Sequence, residues 1–228
     1  MSKIAVIMYG PPGSGKGTQA NLLAERLGLV HLDTGRFLET LVHDPANKNN
    51  KTIQREKKLF DTGFLMTPSF ALSEISKRAK VIAKEGEGII LSGSPRTLFE
   101  VTGLIPVLKK LYGKKRIHIF ELRIKEAISV KRNSNRVVCS ICRAPLLTAY
   151  YPSKNPKHCP ICAGPFYKRT LDNRETMKIR LNEYRERTEP VLGYLKKRRY
   201  KVNQVNGELP PFMVFKKIYG HFKNTRRD

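Results

Sequence analysis

The stretch that decides the fold is GPPGSGKGT at residues 10–18. It fits the phosphate-loop pattern G-x-x-x-x-G-K-[ST] through Gly10, Gly15 and Lys16, although Gly17 takes the last position and Thr18 follows it. An apolar run at 4–9 precedes it, and apolar residues with helical spacing follow it. A glycine loop between a strand and a helix wraps phosphates with backbone N–H groups, and the lysine adds positive charge. The predicted nucleotide ligands are Gly13, Ser14, Gly15, Lys16, Gly17 and Thr18.

Outward from this loop, short apolar runs alternate with helical patterns. Strands are predicted at 4–9, 30–32, 88–91, 116–122 and 200–205. Helices are predicted at 16–27, 35–41, 52–62, 69–85, 98–112, 125–134, 173–199 (with a break near Pro190) and 211–222, and a loop at 43–52. This alternation is typical of an α/β fold of three layers, with a parallel sheet covered by helices on both faces.

Composition limits the class of protein. The chain has 228 residues, 40% of them apolar, which suits one domain with insertions and excludes a disordered chain. Its apolar runs are shorter than a membrane span, and its N-terminus shows no cleavable signal pattern, so a cytoplasmic location is expected.

The charge balance is strongly positive. Lys and Arg number 44 against 19 Asp and Glu, a net charge of +25. Such a balance predicts attraction to nucleotides, RNA or anionic membrane surfaces, and a host that favours lysine on solvated faces explains it as well. The run KKRRYK at 196–201 is the best candidate for a nucleic-acid or membrane contact, although no RNA-binding motif accompanies it.

The four cysteines form two C-x2-C pairs, Cys139 with Cys142 and Cys159 with Cys162, separated by sixteen residues. This spacing predicts a tetrahedral structural zinc site in which the protein supplies all four ligands. A redox dithiol or disulfides are the alternatives, and disulfides suit a cytosolic chain poorly. His158 is expected to be a surface histidine.

Together the motifs resemble those of adenylate kinase and the wider nucleoside monophosphate kinase family. The resemblance covers nearly the whole chain and rests on GKGTQA (15–20), DTGRFLET (33–40), FDTGFLMT (60–67), LSGSPRT (91–97) and LDNRETMKIRLNEYRERTEPVLGYL (171–195). It implies transfer of the terminal phosphoryl group of ATP to a nucleoside monophosphate, AMP first, with Mg²⁺ and as a monomer. It also implies a phosphate-loop core at 1–32, 68–136 and 170–228, a monophosphate-binding insert at 33–67 and a zinc-binding lid at 137–169.

The resemblance also assigns roles to individual residues. Phosphoryl transfer needs positioned positive charge more than covalent chemistry. The implied catalytic set is Lys16, Arg96, Arg132, Arg136, Arg169 and Arg180, with Arg132 and Arg136 also on the ATP side. The implied substrate-binding set is Thr34, Arg36, Leu65, Met66, Gly93, Arg96, Glu100, Arg169 and Arg180.

Four positions depart from the family pattern. Ser92 replaces the strand-end aspartate that orients Mg²⁺, which predicts slower chemistry with retained nucleotide binding. Glu39 stands where the family has an acceptor-site arginine, while Arg36, one helical turn earlier, is expected to recover part of the contact. Beyond the lid, only Asp172 remains of a pair of acids, with Leu171 before it, so one hinge or lid contact is expected to be lost.

The fourth departure concerns the base of the acceptor. Glu100 replaces a glutamine that reads adenine, and a carboxylate only accepts hydrogen bonds. It matches guanine better, so GMP is an alternative acceptor. The second alternative is a catalytically weak nucleotide-binding module that associates with RNA or ribosomes. A zinc-knuckle nucleic-acid-binding protein without a nucleotide site is excluded by the phosphate loop.

Overall fold

A computed structural model describes residues 3–151 and 156–224 of the chain. Its main sheet has five parallel strands in the order β2-β3-β1-β4-β7. Their bounds are β1 Ala5–Tyr9, β2 Leu29–Leu32, β3 Gly88–Ser92, β4 Ile117–Arg123 and β7 Val202–Asn206. The α/β prediction with a parallel sheet is therefore confirmed.

Nine α-helices are assigned within the described residues, and they cover the sheet. They are α1 Lys16–Leu27, α2 Thr34–His43, α3 Lys51–Asp61, α4 Pro68–Lys84, α5 Leu98–Tyr112, α6 Glu126–Ser134, α7 Arg174–Glu183, α8 Glu189–Lys197 and α9 Pro211–Asn224. The predicted helices begin and end within a few residues of these, because capping residues fix many of the helix ends. Gly28 closes α1 in the left-handed conformation that glycine adopts without strain.

Two apolar clusters, one on each face of the sheet, form the core. Ile7, Leu91 and Ile119 belong to one cluster. Val6, Ile90 and Phe120, their neighbours in sequence, belong to the other. Successive side chains of a strand point to opposite faces, so each central strand is buried on both sides.

The strand order also positions the site. β1 lies between β3 and β4, and Met8 pairs with Ser92 in register. The loop after β1 and the end of β3 therefore lie together at the carboxyl edge of the sheet. Ligands of open parallel sheets bind at this edge, where the strand order reverses.

The predicted helix 173–199 is divided in the structure. α7 ends at Glu183, a π-helical turn spans Tyr184–Thr188, and α8 begins at Glu189. Pro190 has no N–H to bond back along a continuous helix, which accounts for the irregular turn before it. The loop predicted at 43–52 holds a short 3-10 turn and ends earlier, because Asn50 caps α3.

Segment 137–169 contains a small antiparallel pair, β5 (Val138–Cys139) with β6 (Phe166–Tyr167), and a 3-10 turn at Thr148–Tyr150. Residues 1–2, 152–155 and 225–228 of the predicted core and lid lie outside the described residues. Among the described helices, none is both long enough and apolar enough to cross a membrane.

Candidate active site

A cavity of about 960 Å³ opens at the carboxyl edge of the sheet. The glycine loop, α2, the end of β3 and segment 137–169 surround it. Most of the predicted site residues line it: Gly13, Ser14, Gly15, Lys16, Gly17, Thr18, Arg36, Leu65, Gly93, Arg96, Arg132, Arg136, Arg169 and Arg180. Thr34, Met66 and Glu100 are buried beside it and are not part of its described lining.

The glycine loop depends on backbone conformations that other residues adopt with strain. Gly10, Gly13 and Gly15 all have positive φ. A Cβ on Gly13 would lie 2.3 Å from Nδ2 of Asn133. Only glycine lets the loop turn this tightly against α6, so the backbone can approach a bound anion closely.

Lys16 lies in a strongly positive environment. Its ammonium donates hydrogen bonds to the carbonyl oxygens of Gly10 at 2.6 Å and Pro11 at 2.9 Å. Burial, together with the charges of the nearby Arg96 and Arg180, lowers the pKa of Lys16 to about 7. The cleft is therefore short of negative charge and suits a polyphosphate.

Arg136 and Arg180 share one buried carboxylate. Arg136 makes two hydrogen bonds to Asp172, its Nε lying 2.8 Å from Oδ2. Arg180 lies 3.5 Å from Oδ1 of Asp172 and donates to the carbonyl of Leu171 at 3.3 Å. Burial and the nearby Arg136 lower the pKa of Arg180 to about 9, so it remains charged at neutral pH. The single remaining acid of the pair thus positions two arginines.

Arg132 is held by backbone groups. Its guanidinium donates to the carbonyl of Gly207 at 2.8 Å and to that of Glu208 at 3.3 Å. Both carbonyls belong to the loop after β7. Arg132 therefore ties α6 to this loop while it lines the cavity.

Arg96 and Glu100 form the start of α5. The Nε of Arg96 donates to the carbonyl of Gly93. One carboxylate oxygen of Glu100 accepts the backbone N–H of Arg96 at 3.0 Å, and the other accepts the hydroxyl of Thr97 at 3.1 Å. This is a variant of the capping box: the Glu100 N–H is bonded to the hydroxyl of Thr97, and the Glu100 carboxylate accepts the N–H of Arg96, one residue before the N-cap. Glu100 is therefore engaged in capping, and its placement gives no support to a role in reading guanine.

Glu39 has an unexpected partner in the cysteine segment. Its Oε2 lies 3.2 Å from Nη2 of Arg143 and 3.4 Å from Nη2 of Arg169. Arg143 directly follows Cys142 and has a left-handed backbone conformation. It is not among the site residues predicted from the sequence. Arg36 is exposed at the rim of the cavity. The reversed charge on α2 is thus neutralised by arginines from another segment.

Ser92 is the end of a hydrogen-bonded chain. Its hydroxyl lies 2.7 Å from Nε2 of His31, and Nδ1 of His31 lies 2.5 Å from Oδ1 of Asn21. Burial lowers the pKa of His31, which favours the neutral ring. With Nδ1 donating to Asn21, Nε2 accepts the hydroxyl proton, and the Ser92 oxygen presents its lone pairs to the cleft.

The four cysteines meet as predicted. All four sulfur atoms lie within 4.8 Å of one another, with Cys139 and Cys162 at 3.4 Å and Cys142 and Cys159 at 3.6 Å. A tetrahedral zinc ion with bonds of about 2.3 Å requires sulfur separations close to these. Backbone N–H groups of two isoleucines lie 3.4 Å from the sulfur atoms of Cys139 and Cys159. The cluster fits a structural zinc ion, and His158 is exposed and bonded to a carbonyl instead.

The parallel sheet, glycine loop and cationic cleft define a phosphate-loop nucleotide-binding protein. A family model described as adenylate kinase matches residues 8–200. The chain is 34% identical over 203 residues to an adenylate kinase of Caldicellulosiruptor saccharolyticus, covering 89% of this chain and 92% of that protein. It is 33% identical over 193 residues to one of Archaeoglobus fulgidus, with 85% and 86% covered. The chain belongs to the adenylate kinase family, which makes it a kinase.

Because the pKa of Lys16 is lowered, nucleotide binding is coupled to protonation of its side chain. At pH 8 about nine-tenths of free chains hold this lysine neutral, and a bound polyphosphate raises its pKa and restores the proton. We expect uptake of nearly one proton on binding ADP at pH 8, falling away at pH 6. Calorimetric titration in buffers of different ionisation enthalpy measures this number. Lys16→Arg, which stays charged, is the control, and no uptake by the unaltered protein at pH 8 contradicts the prediction.

Proposed function

We propose that the protein transfers the terminal phosphoryl group of ATP to AMP and forms two molecules of ADP. One observation carries the proposal: Lys16, Arg96, Arg136 and Arg180 converge on a single cavity above the glycine loop. In-line phosphoryl transfer is catalysed mainly by such preorganised positive charge.

The proposed roles follow the positions of the groups. The glycine loop and Lys16 bind the donor phosphates, and Arg132 closes that end of the cavity. Arg136 and Arg180 neutralise charge on the transferring group, Arg96 binds the acceptor phosphate, and Arg169 contacts both. These contacts strengthen as charge shifts in the transition state, so their loss lowers kcat more than it weakens binding.

The division into three parts is also part of the proposal. Residues 33–67 form the acceptor-binding insert and 137–169 the lid, and the rest is the core. A segment of about thirty residues has little apolar core of its own, and a structural zinc ion supplies much of its stability. The lid then excludes water, which otherwise competes with the acceptor for the phosphoryl group.

Mg²⁺ is held at the core in this proposal. Thr18 and Ser92 line the cavity. Their hydroxyl oxygens are of the type that binds Mg²⁺ directly or accepts hydrogen bonds from its water ligands. When bound, the ion neutralises charge on the donor phosphates. Ser92 contributes an oriented lone pair without a charge, because its hydroxyl donates a hydrogen bond to His31.

A comparison of acceptors tests the assignment of AMP. The relatives compared are adenylate kinases, and Glu100, the main reason to consider GMP, is engaged in capping α5. We expect kcat/KM with Mg-ATP to be at least roughly tenfold higher for AMP than for GMP, CMP or UMP, the scale of one matched hydrogen bond to the base. Preference for another monophosphate overturns the acceptor, and no transfer to any of the four overturns the activity.

Glu39 competes with the acceptor phosphate for Arg169 in this arrangement. We expect Glu39→Gln to lower the KM for AMP roughly fivefold, the scale of one partly exposed ion pair, and to leave the KM for ATP unchanged. Steady-state kinetics with each substrate varied in turn measures both constants. Arg143→Gln, which keeps the carboxylate beside Arg169, is the matched control. A higher KM for AMP in Glu39→Gln shows instead that the carboxylate positions the arginines productively.

A carboxylate at position 92 restores charge near the metal. We expect Ser92→Asp to lower the half-saturating Mg²⁺ concentration roughly tenfold and to raise kcat, because a charged acceptor binds the metal's waters more strongly. The gain falls at acid pH, where a protonated His31 would offset the new charge. Ser92→Asn has the same shape without the charge and is the control. Equal Mg²⁺ dependence of the two variants refutes this account.

A further inference from the structure

Two strongly basic segments lie outside the cleft. Residues 109–116 read KKLYGKKR and residues 196–201 read KKRRYK. They contain ten Lys and Arg residues and no acid, and all ten are exposed. We call these ten residues the basic face: Lys109, Lys110, Lys114, Lys115, Arg116, Lys196, Lys197, Arg198, Arg199 and Lys201.

The fold brings the two segments together although about eighty residues separate them in sequence. Residues 114–116 directly precede β4, residue 201 directly precedes β7, and these strands pair in parallel with Ile119 opposite Val202. The ammonium of Lys114 donates to the carbonyl of Arg198 at 3.3 Å. The basic face is therefore one continuous surface.

This surface lies at the opposite edge of the sheet from the nucleotide cleft. The glycine loop follows the carboxyl end of β1, whereas the basic face surrounds the amino ends of β4 and β7. The seven residues of β4 separate the two edges by about 20 Å. A ligand on the basic face therefore leaves the cleft accessible.

Two tyrosine rings lie against residues of the basic face. The ammonium of Lys114 is 5.0 Å from the ring centroid of Tyr200, and the guanidinium carbon of Arg198 is 5.3 Å from that of Tyr194. Both rings are partly buried against the core and are held in place. Such rings offer stacking surfaces beside phosphate-binding cations.

We propose that the basic face binds a single-stranded polynucleotide through its phosphates, independently of phosphoryl transfer. Ten exposed cations without an intervening acid match a chain of phosphates, and the tyrosines match its bases. A membrane-binding surface needs large exposed apolar side chains beside its cations. Within the described residues of these two segments, no large apolar side chain is strongly exposed.

Two variants of equal charge change test this proposal. The first is Lys115→Glu, Lys197→Glu and Lys201→Glu, in the basic face. The second is Lys77→Glu, Arg78→Glu and Lys80→Glu, at exposed positions on α4 that do not line the cavity. Fluorescence anisotropy with a labelled, unstructured 20-nucleotide RNA measures binding across a range of salt concentrations, with excess ADP present to occupy the cleft.

We expect the unaltered protein to bind the RNA with an affinity that falls steeply with salt. In the first variant the slope of log affinity against log salt decreases by about 2, since each phosphate contact on a single strand contributes roughly 0.7, and affinity drops at least about tenfold at 100 mM salt. The second variant changes affinity less than about twofold, and both retain phosphoryl transfer.

Several results overturn the proposal. Equal loss of affinity in the two variants shows that overall charge, and not this surface, attracts RNA. Absence of salt-dependent binding by the unaltered protein refutes a polynucleotide ligand. Tighter binding to a DNA duplex of equal length excludes a single strand as the ligand. Stronger binding to vesicles of phosphatidylglycerol and phosphatidylcholine, lost in the first variant alone, assigns the surface to membranes instead.

Discussion

The structure depends on holding several positive charges in one cleft. Burial, followed by the charges of Arg96 and Arg180, lowers the pKa of Lys16 to about 7, and burial together with the charge of Arg136 lowers the pKa of Arg180 to about 9. Like charges repel strongly where water is limited, so each guanidinium needs an anchor. Asp172 holds two of them, and backbone carbonyls hold Arg132 and the ammonium of Lys16. These anchors fix the geometry that a polyphosphate completes.

The cysteine cluster serves the same purpose from outside the core. Each C-x2-C pair turns the chain sharply, and the residues after the second cysteines, Arg143 and Ala163, both take left-handed conformations. The first turn directs Arg143 toward Glu39, which also contacts Arg169. A zinc ion bound by the four sulfur atoms would stabilise these turns and so help to position arginines that lie beyond its ligands.

The partners of the residues that depart from the family pattern are seen only in the tertiary structure. In the sequence, Ser92 stands in place of a negatively charged residue, and Glu39 stands in place of a positively charged one. In the structure, His31 and Asn21 orient the serine hydroxyl, and two arginines neutralise the glutamate. Asp172 contacts two arginines, Arg136 and Arg180. Ser92, Glu39 and Asp172 each have partners from segments that are distant in sequence.

The sequence by itself determined the class of protein, because local chemistry carries that information. The loop at 10–18, the alternation of strands and helices and the cysteine spacing each depend on neighbouring residues. The partners of Glu39, Asp172 and Ser92 were decided by tertiary structure, since side chains from segments far apart in sequence meet at one edge of the sheet. The basic face likewise exists only because β4 and β7 pair in parallel and align the ends of two separate basic runs.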